Sequence, residues 1–139
     1  MRIYFDSSAL AKRYVAEPDT ERVLEFCSLA REVILSVLCV PEIVSAMNRL
    51  RREEKLSAQQ YLALKEELAA DIRQATIVAV TQPVVARTIE LLENAALGTL
   101  DAIHVATALD SSCELFVSAD RRQSAAARLA GLTVEEILL

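Results

Sequence analysis

The chain has 139 residues, a mass of 15.3 kDa and 53% hydrophobic residues, which suits one domain with a sizeable core and argues against disorder. A net charge of −5, from 20 acidic and 15 basic residues, speaks against a sequence-independent nucleic-acid coat protein, because such binding rests on neutralising phosphates. The three cysteines, Cys27, Cys39 and Cys113, lack a CxxC spacing and support neither a disulfide framework nor a zinc site, and no apolar run reaches the roughly 18 residues of a membrane span.

Arg2 to Phe5 reads as a short buried strand ending at Asp6, with Ser7-Ser8 capping a helix that reaches Tyr14 or Val15. Glu17-Pro18-Asp19 breaks that helix, and Asp19 or Thr20 caps the next, whose inner face would be Val23, Leu24, Cys27 and Leu29. Val33 to Val37 is a β-branched run and hence a second strand. Pro41 opens a helix with Ile43, Val44, Met47 and Leu50 at the three-to-four repeat and a solvated end from Arg49 to Glu54. Ser57 starts another, with Tyr61, Leu62, Leu64 and Leu68 inward. Ile77 to Val80 reads as a third strand, Pro83 begins a helix to Leu92 or Asn94, and Gly98 stops that region. Thr99 caps a helix from Leu100 to Leu109, Leu115 to Ser118 is a fourth strand, and a helix follows around Ser124 to Leu129. Gly131 releases the chain into a last strand, Thr133 to Glu135. Strands separated by helices imply a parallel sheet covered on both faces. No signal-like segment precedes the first strand, so a cytoplasmic location is expected.

Asp6, Glu42, Asp101 and Asp120 each stand where an apolar run meets a turn or a helix start. Singly, each has a plain explanation as a helix cap, a first-turn charge offsetting the macrodipole, or a surface acid. Their coincidence points elsewhere. Asp6 and Asp120 terminate two hydrophobic strands in the same sense, and the carboxyl ends of parallel strands open onto one crevice. Four carboxylates gathered there would repel unless a cation shared them. Mg²⁺ or Mn²⁺ suits oxygen donors, leaves room for a phosphate and a water, and would activate that water for in-line attack. With one histidine in the chain, a two-histidine acid–base cleavage is excluded.

An Asp ending the first strand would also suit an aspartyl-phosphate nucleophile. A haloacid-dehalogenase-like phosphatase would want a second Asp at position 8, which is Ser, and the acid pair and late Lys of a receiver domain are not visible.

Tyr4-Phe5-Asp6-Ser7-Ser8-Ala9-Leu10 resembles the opening signature of PIN-domain ribonucleases. Pro41-Glu42-Ile43-Val44-Ser45-Ala46, Leu100-Asp101-Ala102-Ile103-His104 and Phe116-Val117-Ser118-Ala119-Asp120-Arg121 are similar to the family's later motifs, in order and at family-like spacing. Ser7 and Ser118 stand where Thr is common and keep the hydroxyl. Within the family the pattern looks most like the VapC-type toxins of toxin–antitoxin modules. The resemblance implies a three-layer α/β/α fold over residues 1–139, with a central, mainly parallel sheet of about four to five strands. It implies a Mg²⁺- or Mn²⁺-dependent endoribonuclease that is a homodimer, acts on RNA and is inhibited by a small antitoxin. A PIN-like RNA-processing nuclease outside such a module is the alternative.

Carried over by motif, Asp6 and Asp101 would be the principal metal ligands. Glu42 and then Asp120 would complete the catalytic pocket directly or through water, and Ser8 and Ser118 would orient them from behind. His104 is expected to be a packed residue bonded to a backbone carbonyl, although it shares a helix face with Asp101. Cys39 is expected to pack. Arg49, Arg51, Arg52, Lys12, Arg13, Arg121 and Arg122 are candidate phosphate contacts, the last two with the best claim because they follow a proposed ligand. Leu138 and Leu139 would touch a partner or fold back on the sheet.

Overall fold

The computed structural model describes residues 1–137. Five strands form one sheet: β1 (Arg2–Phe5), β2 (Glu32–Ser36), β3 (Thr76–Val78), β4 (Leu115–Ser118) and β5 (Val134–Glu136). Their order is β3-β2-β1-β4-β5, and every neighbouring pair is parallel. Each parallel step needs a crossover, and helices supply them: α1 (Ser7–Leu10) and α2 (Thr20–Leu29), α3 (Cys39–Arg52) and α4 (Ala58–Gln74), α5 (Gln82–Asn94) and α6 (Thr99–Ser111), then α7 (Arg121–Leu129).

Alternation along the strands divides the core between the two faces. Ile3, Phe5, Leu35, Leu115 and Val117 pack with Cys39, Ile43 and Met47 of α3 and Leu68 of α4. Tyr4, Ile34 and Phe116 point the other way and pack with Val105 and Ala108 of α6 and Ala127 of α7. This is the expected three-layer α/β/α arrangement, with five parallel strands. From β1 the chain builds outward through β2 to β3, then returns to the other side of β1 for β4 and β5. The reversal falls between β1 and β4, and the crevice outside their carboxyl ends is where such sheets bind ligands.

Several sequence expectations shift. Asp6, not Ser7 or Ser8, caps α1: its side chain accepts from the Ala9 N–H, and the helix tightens into a 3₁₀ turn at Ala11–Arg13. α3 begins at Cys39, which makes Pro41 its third residue, where a missing N–H still costs no helical bond. Gly98 rather than Thr99 occupies the cap of α6, which runs on to Ser111 and ends at a left-handed Ser112. α7 starts at Arg121, earlier than Ser124, because Asp120 caps it. Leu24, Leu29 and Leu62 are not inward; Leu29 is 64% and Leu62 59% exposed. The buried stripes run instead through Val23, Phe26, Cys27 and Ala30, and through Tyr61, Leu64 and Leu68, each at three-to-four spacing that leaves those leucines off the face.

The capping box of α4 is complete, with Ser57 Oγ accepting from Gln60 N and Gln60 Oε1 accepting from Ser57 N. The three cysteines are free thiols, Cys39 buried and the others half-buried. Among the described residues no helix is long and apolar enough to cross a membrane. Leu138 and Leu139 lie outside the described residues.

Candidate active site

Asp6 directly follows β1 and is fully buried. Its Oδ1 accepts from Ser8 Oγ at 2.7 Å and from the Ala9 N–H at 2.9 Å, and its Oδ2 accepts from Ser118 Oγ at the end of β4. Ser118 Oγ in turn accepts from the Asp120 N–H at 3.0 Å, and Ser8 Oγ from the Ala119 N–H at 3.0 Å. The two serines thus stitch the carboxyl ends of β1 and β4 together around one carboxylate. Burial pushes the Asp6 carboxyl above its ordinary range, and the bonds from Ser118, Ser8 and Ala9 only partly offset this. A buried acid short of compensation is an environment that a positive charge would relieve.

Glu42 lies in the first turn of α3, half-buried at the rim of the same edge. Its Oε1 receives Ser7 Oγ at 2.8 Å and His104 Nε2 at 2.7 Å. The opposite ring nitrogen, Nδ1, lies 2.7 Å from the Tyr4 hydroxyl. The Glu42 carboxylate can only accept, so Nε2 donates to it; in the neutral imidazole Nδ1 then accepts from the Tyr4 hydroxyl, whose proton burial keeps in place. The hydrogen-bond pattern therefore assigns the imidazole proton to Nε2, where it points at the Glu42 carboxylate. Burial alone would raise Glu42, but the hydrogen bonds from His104 and Ser7 outweigh it and hold this carboxyl below its ordinary value.

His104, expected to bond a backbone carbonyl, instead uses both ring nitrogens on side chains. It is only 2% exposed, and it fixes one oxygen of Glu42. The face it shares with Asp101 was the only sign of this in the sequence; its partner Tyr4 is 100 residues away.

Asp101 sits in the first turn of α6 and Asp120 at the cap of α7. Gln123 joins them: its backbone N–H donates to Asp120 Oδ1 at 3.0 Å and its Nε2 donates to Asp101 Oδ1 at 2.9 Å. Nothing in the sequence marks Gln123 as more than a residue of a solvated helix start, yet it is 3% exposed. All four predicted acids thus fall at one edge. They are linked through Ser7, Ser8, Ser118 and Gln123, not carboxylate against carboxylate. Among the described residues no three or more His, Cys, Asp or Glu side chains group closely enough to cage an ion.

The basic candidates separate. Lys12 bonds Glu17 at 2.6 Å, and Arg13 is paired with Asp71 at 2.9 Å, so both are tied into local structure. Arg51 bonds Asn48 and stacks on Tyr61 at 4.8 Å. Arg49 and Arg52 are exposed and line a groove of about 650 Å³ that also includes Glu42, Ser45 and Leu100. Arg121 and Arg122 are exposed beside Asp120.

A family model described as the PIN domain matches residues 3–129. The chain belongs to the PIN-domain family. Among solved PIN-like structures, FitAcB from Neisseria gonorrhoeae superposes with a TM-score of 0.74 at 21% identity, covering 95% of both chains. VapC20 from Mycobacterium tuberculosis, described as a sarcin-ricin loop cleaving toxin, gives 0.69 at 19% identity over 94% of this chain and 96% of that one. VapBC2 from Rickettsia felis, bound to a DNA fragment from its promoter, gives 0.70 at 11% identity over 98% of each. At these identities the similarity is one of fold. A comparison with curated proteins finds no match. The PIN assignment agrees with the family that the four sequence motifs resemble.

Proposed function

We propose that this PIN domain is a divalent-metal-dependent endoribonuclease, the toxin of a toxin–antitoxin module. The observation that carries the reading is the buried Asp6 carboxylate at the β1/β4 switch point, bound to Ser8 and Ser118, with Glu42 held by the neighbouring Ser7 and with Asp120 and Asp101 joined through Ser118 and Gln123.

The donor set fits a hard cation. The site acids offer only oxygen, and the sole histidine is spent on Glu42 and Tyr4. Mg²⁺ usually keeps several waters and takes one or two carboxylates plus substrate phosphate, so a three-carboxylate cage is not required. Asp6 and Asp101 would hold the ion, with Glu42 and Asp120 completing the pocket directly or through water. When bound, Mg²⁺ or Mn²⁺ supplies polarisation of a phosphodiester and a water acidified towards neutrality.

The rest is the work of this chain's own groups. Ser8 and Ser118 lock the Asp6 carboxylate in one orientation, which removes the reorganisation that a free side chain would need. His104 and Ser7 occupy Oε1 of Glu42 and leave Oε2 for the pocket. Arg49 and Arg52 in the adjoining groove, and Arg121 and Arg122 beyond Asp120, supply charge for RNA phosphates in a chain that is acidic overall. A phosphotransfer reading is disfavoured, because the position where a haloacid-dehalogenase-like phosphatase would want a second Asp is Ser8, whose hydroxyl is spent on Asp6.

The toxin assignment draws on fold neighbours that include a toxin–antitoxin complex from Klebsiella pneumoniae and DNA-bound VapBC from Salmonella typhimurium. By that reading the chain is a cytoplasmic homodimer held inactive by a small antitoxin. Purified protein should cleave RNA with Mg²⁺ or Mn²⁺ and stop when EDTA is added, and Asp6→Asn should abolish the cleavage. Equal cleavage by wild type and Asp6→Asn would expose a contaminant and end the nuclease reading. In cells, expression should arrest growth and co-expression of the adjacent antitoxin gene should restore it.

A further inference from the structure

Gln123 and Gln60 hold the same position, third residue of a helix whose cap accepts from their backbone N–H. Gln60 completes the ordinary capping box by turning its side chain back, so that Oε1 accepts from the Ser57 N–H at 2.9 Å. Gln123 does not. The N–H of its cap residue, Asp120, goes to Ser118 Oγ instead, and the Gln123 amide turns to Asp101. Helix capping therefore leaves this side chain unexplained.

Two further facts bear on it. Gln123 is 3% exposed, so its amide is withdrawn from bulk water. With Nε2 given to Asp101, the carbonyl Oε1 is buried without any donor among the described residues. A carboxylate can only accept, so the amide must turn its N–H to Asp101, which fixes its orientation and leaves Oε1 as the orphan. Buried acceptors of this kind are rare in folded proteins and mark strain, an unseen water or an ion. Here the orphan belongs to the amide that joins two of the four site acids.

We propose that Gln123 is a positioning residue of the cation site: it ties Asp101 to Asp120 through its two N–H groups and offers its free Oε1 to the water shell of the bound ion. The inference rests on the metal-dependent reading above and assigns a partner that the acidic motifs do not contain. Waters on a divalent cation are strong donors, which is the group Oε1 lacks. Residues that orient ligands from outside the coordination sphere commonly change metal affinity by about 10–100-fold when removed.

Gln123→Met keeps the volume and the backbone N–H to Asp120 while deleting both amide functions. Titration of metal-free protein with Mn²⁺ by calorimetry should show binding to the wild type and binding weakened by roughly tenfold or more in Gln123→Met, with circular dichroism confirming the fold. A purely structural role would lower the melting temperature and leave the affinity of the folded protein unchanged. A second measurement needs no variant. In the wild type, the Gln123 side-chain amide resonances should shift as Mg²⁺ is added, and this decides the matter if Gln123→Met fails to fold. Wild-type binding with an unchanged affinity in Gln123→Met, or an amide that ignores Mg²⁺, overturns the role of Gln123 and leaves the cation site standing. No Mn²⁺ binding by the wild type removes both.

Discussion

Tyr4→Phe deletes one oxygen from the middle of the sheet and tests how His104 is held. The phenyl ring keeps its stack on Phe116, whose centroid lies 5.4 Å away with the planes 5° apart, so little packing is lost. What changes is His104 Nδ1, which loses its donor at 2.7 Å in a residue only 2% exposed. A buried acceptor left unpaired costs about 1–3 kcal/mol. At roughly 3–4 °C per kcal/mol for a domain of this size, the thermal midpoint should fall by some 3–12 °C, as followed by circular dichroism. Combining Tyr4→Phe with His104→Leu removes both partners. It should cost less than the sum of the single changes, with a coupling on the order of 0.5–3 kcal/mol. An unchanged midpoint in Tyr4→Phe, or strict additivity in the cycle, would refute the Tyr4–His104–Glu42 chain.

Two pH profiles separate the acids. Burial raises Asp6, so its ionisation penalises the fold increasingly as pH climbs from the unfolded value through the folded one. In EDTA, Asp6→Asn should therefore gain on the wild type as pH rises from about 4, the ordinary aspartate value; thermal midpoints that run parallel as pH rises would contradict this. Glu42 has the opposite sign. Although burial opposes it, the His104 and Ser7 bonds hold its carboxyl low, so its stabilising share is present above the unfolded value and disappears as pH falls through the folded one. Glu42→Gln should destabilise near neutrality, and its cost should shrink as pH falls below about 4.3, the ordinary glutamate value. A cost that stays constant as pH falls, measured by urea unfolding, would remove the charge-assisted bond to His104 from the account.

The parts of this protein legible in its sequence are those where one local signal dominates. β4, from Leu115 to Ser118, is a continuous apolar run with a single reading, and its bounds were predictable. The order of elements followed from alternating periodicities, and the sheet's parallel character followed from that order. Boundaries failed where two groups compete for one cap: the Asp6 carboxylate outbids the Ser7 hydroxyl for α1, and Asp120 claims α7 before Ser124 can. Inner faces failed where apolar residues outnumber the width of the contact, as with Leu29 and Leu62.

At the candidate site, the four acids were visible because each stands where an apolar run meets a turn or a helix start. Their connectors were not, because each is a long-range pairing: Ser118 with Asp6 across 112 positions, His104 with Glu42 across 62, Gln123 with Asp101 across 22. A glutamine at the third position of a helix ordinarily signals a capping box, and only the three-dimensional competition from Ser118 frees Gln123 for another partner.

The central claim is that Asp6, Glu42, Asp101 and Asp120 form one divalent-cation site, and Asp101→Asn tests it most directly. The substitution removes a negative charge from the pocket without disturbing buried packing, so metal-free protein should remain folded. Calorimetric titration with Mn²⁺ should then show clear binding to the wild type and markedly weaker binding to Asp101→Asn. Unchanged Mn²⁺ affinity in the folded variant would contradict the claim.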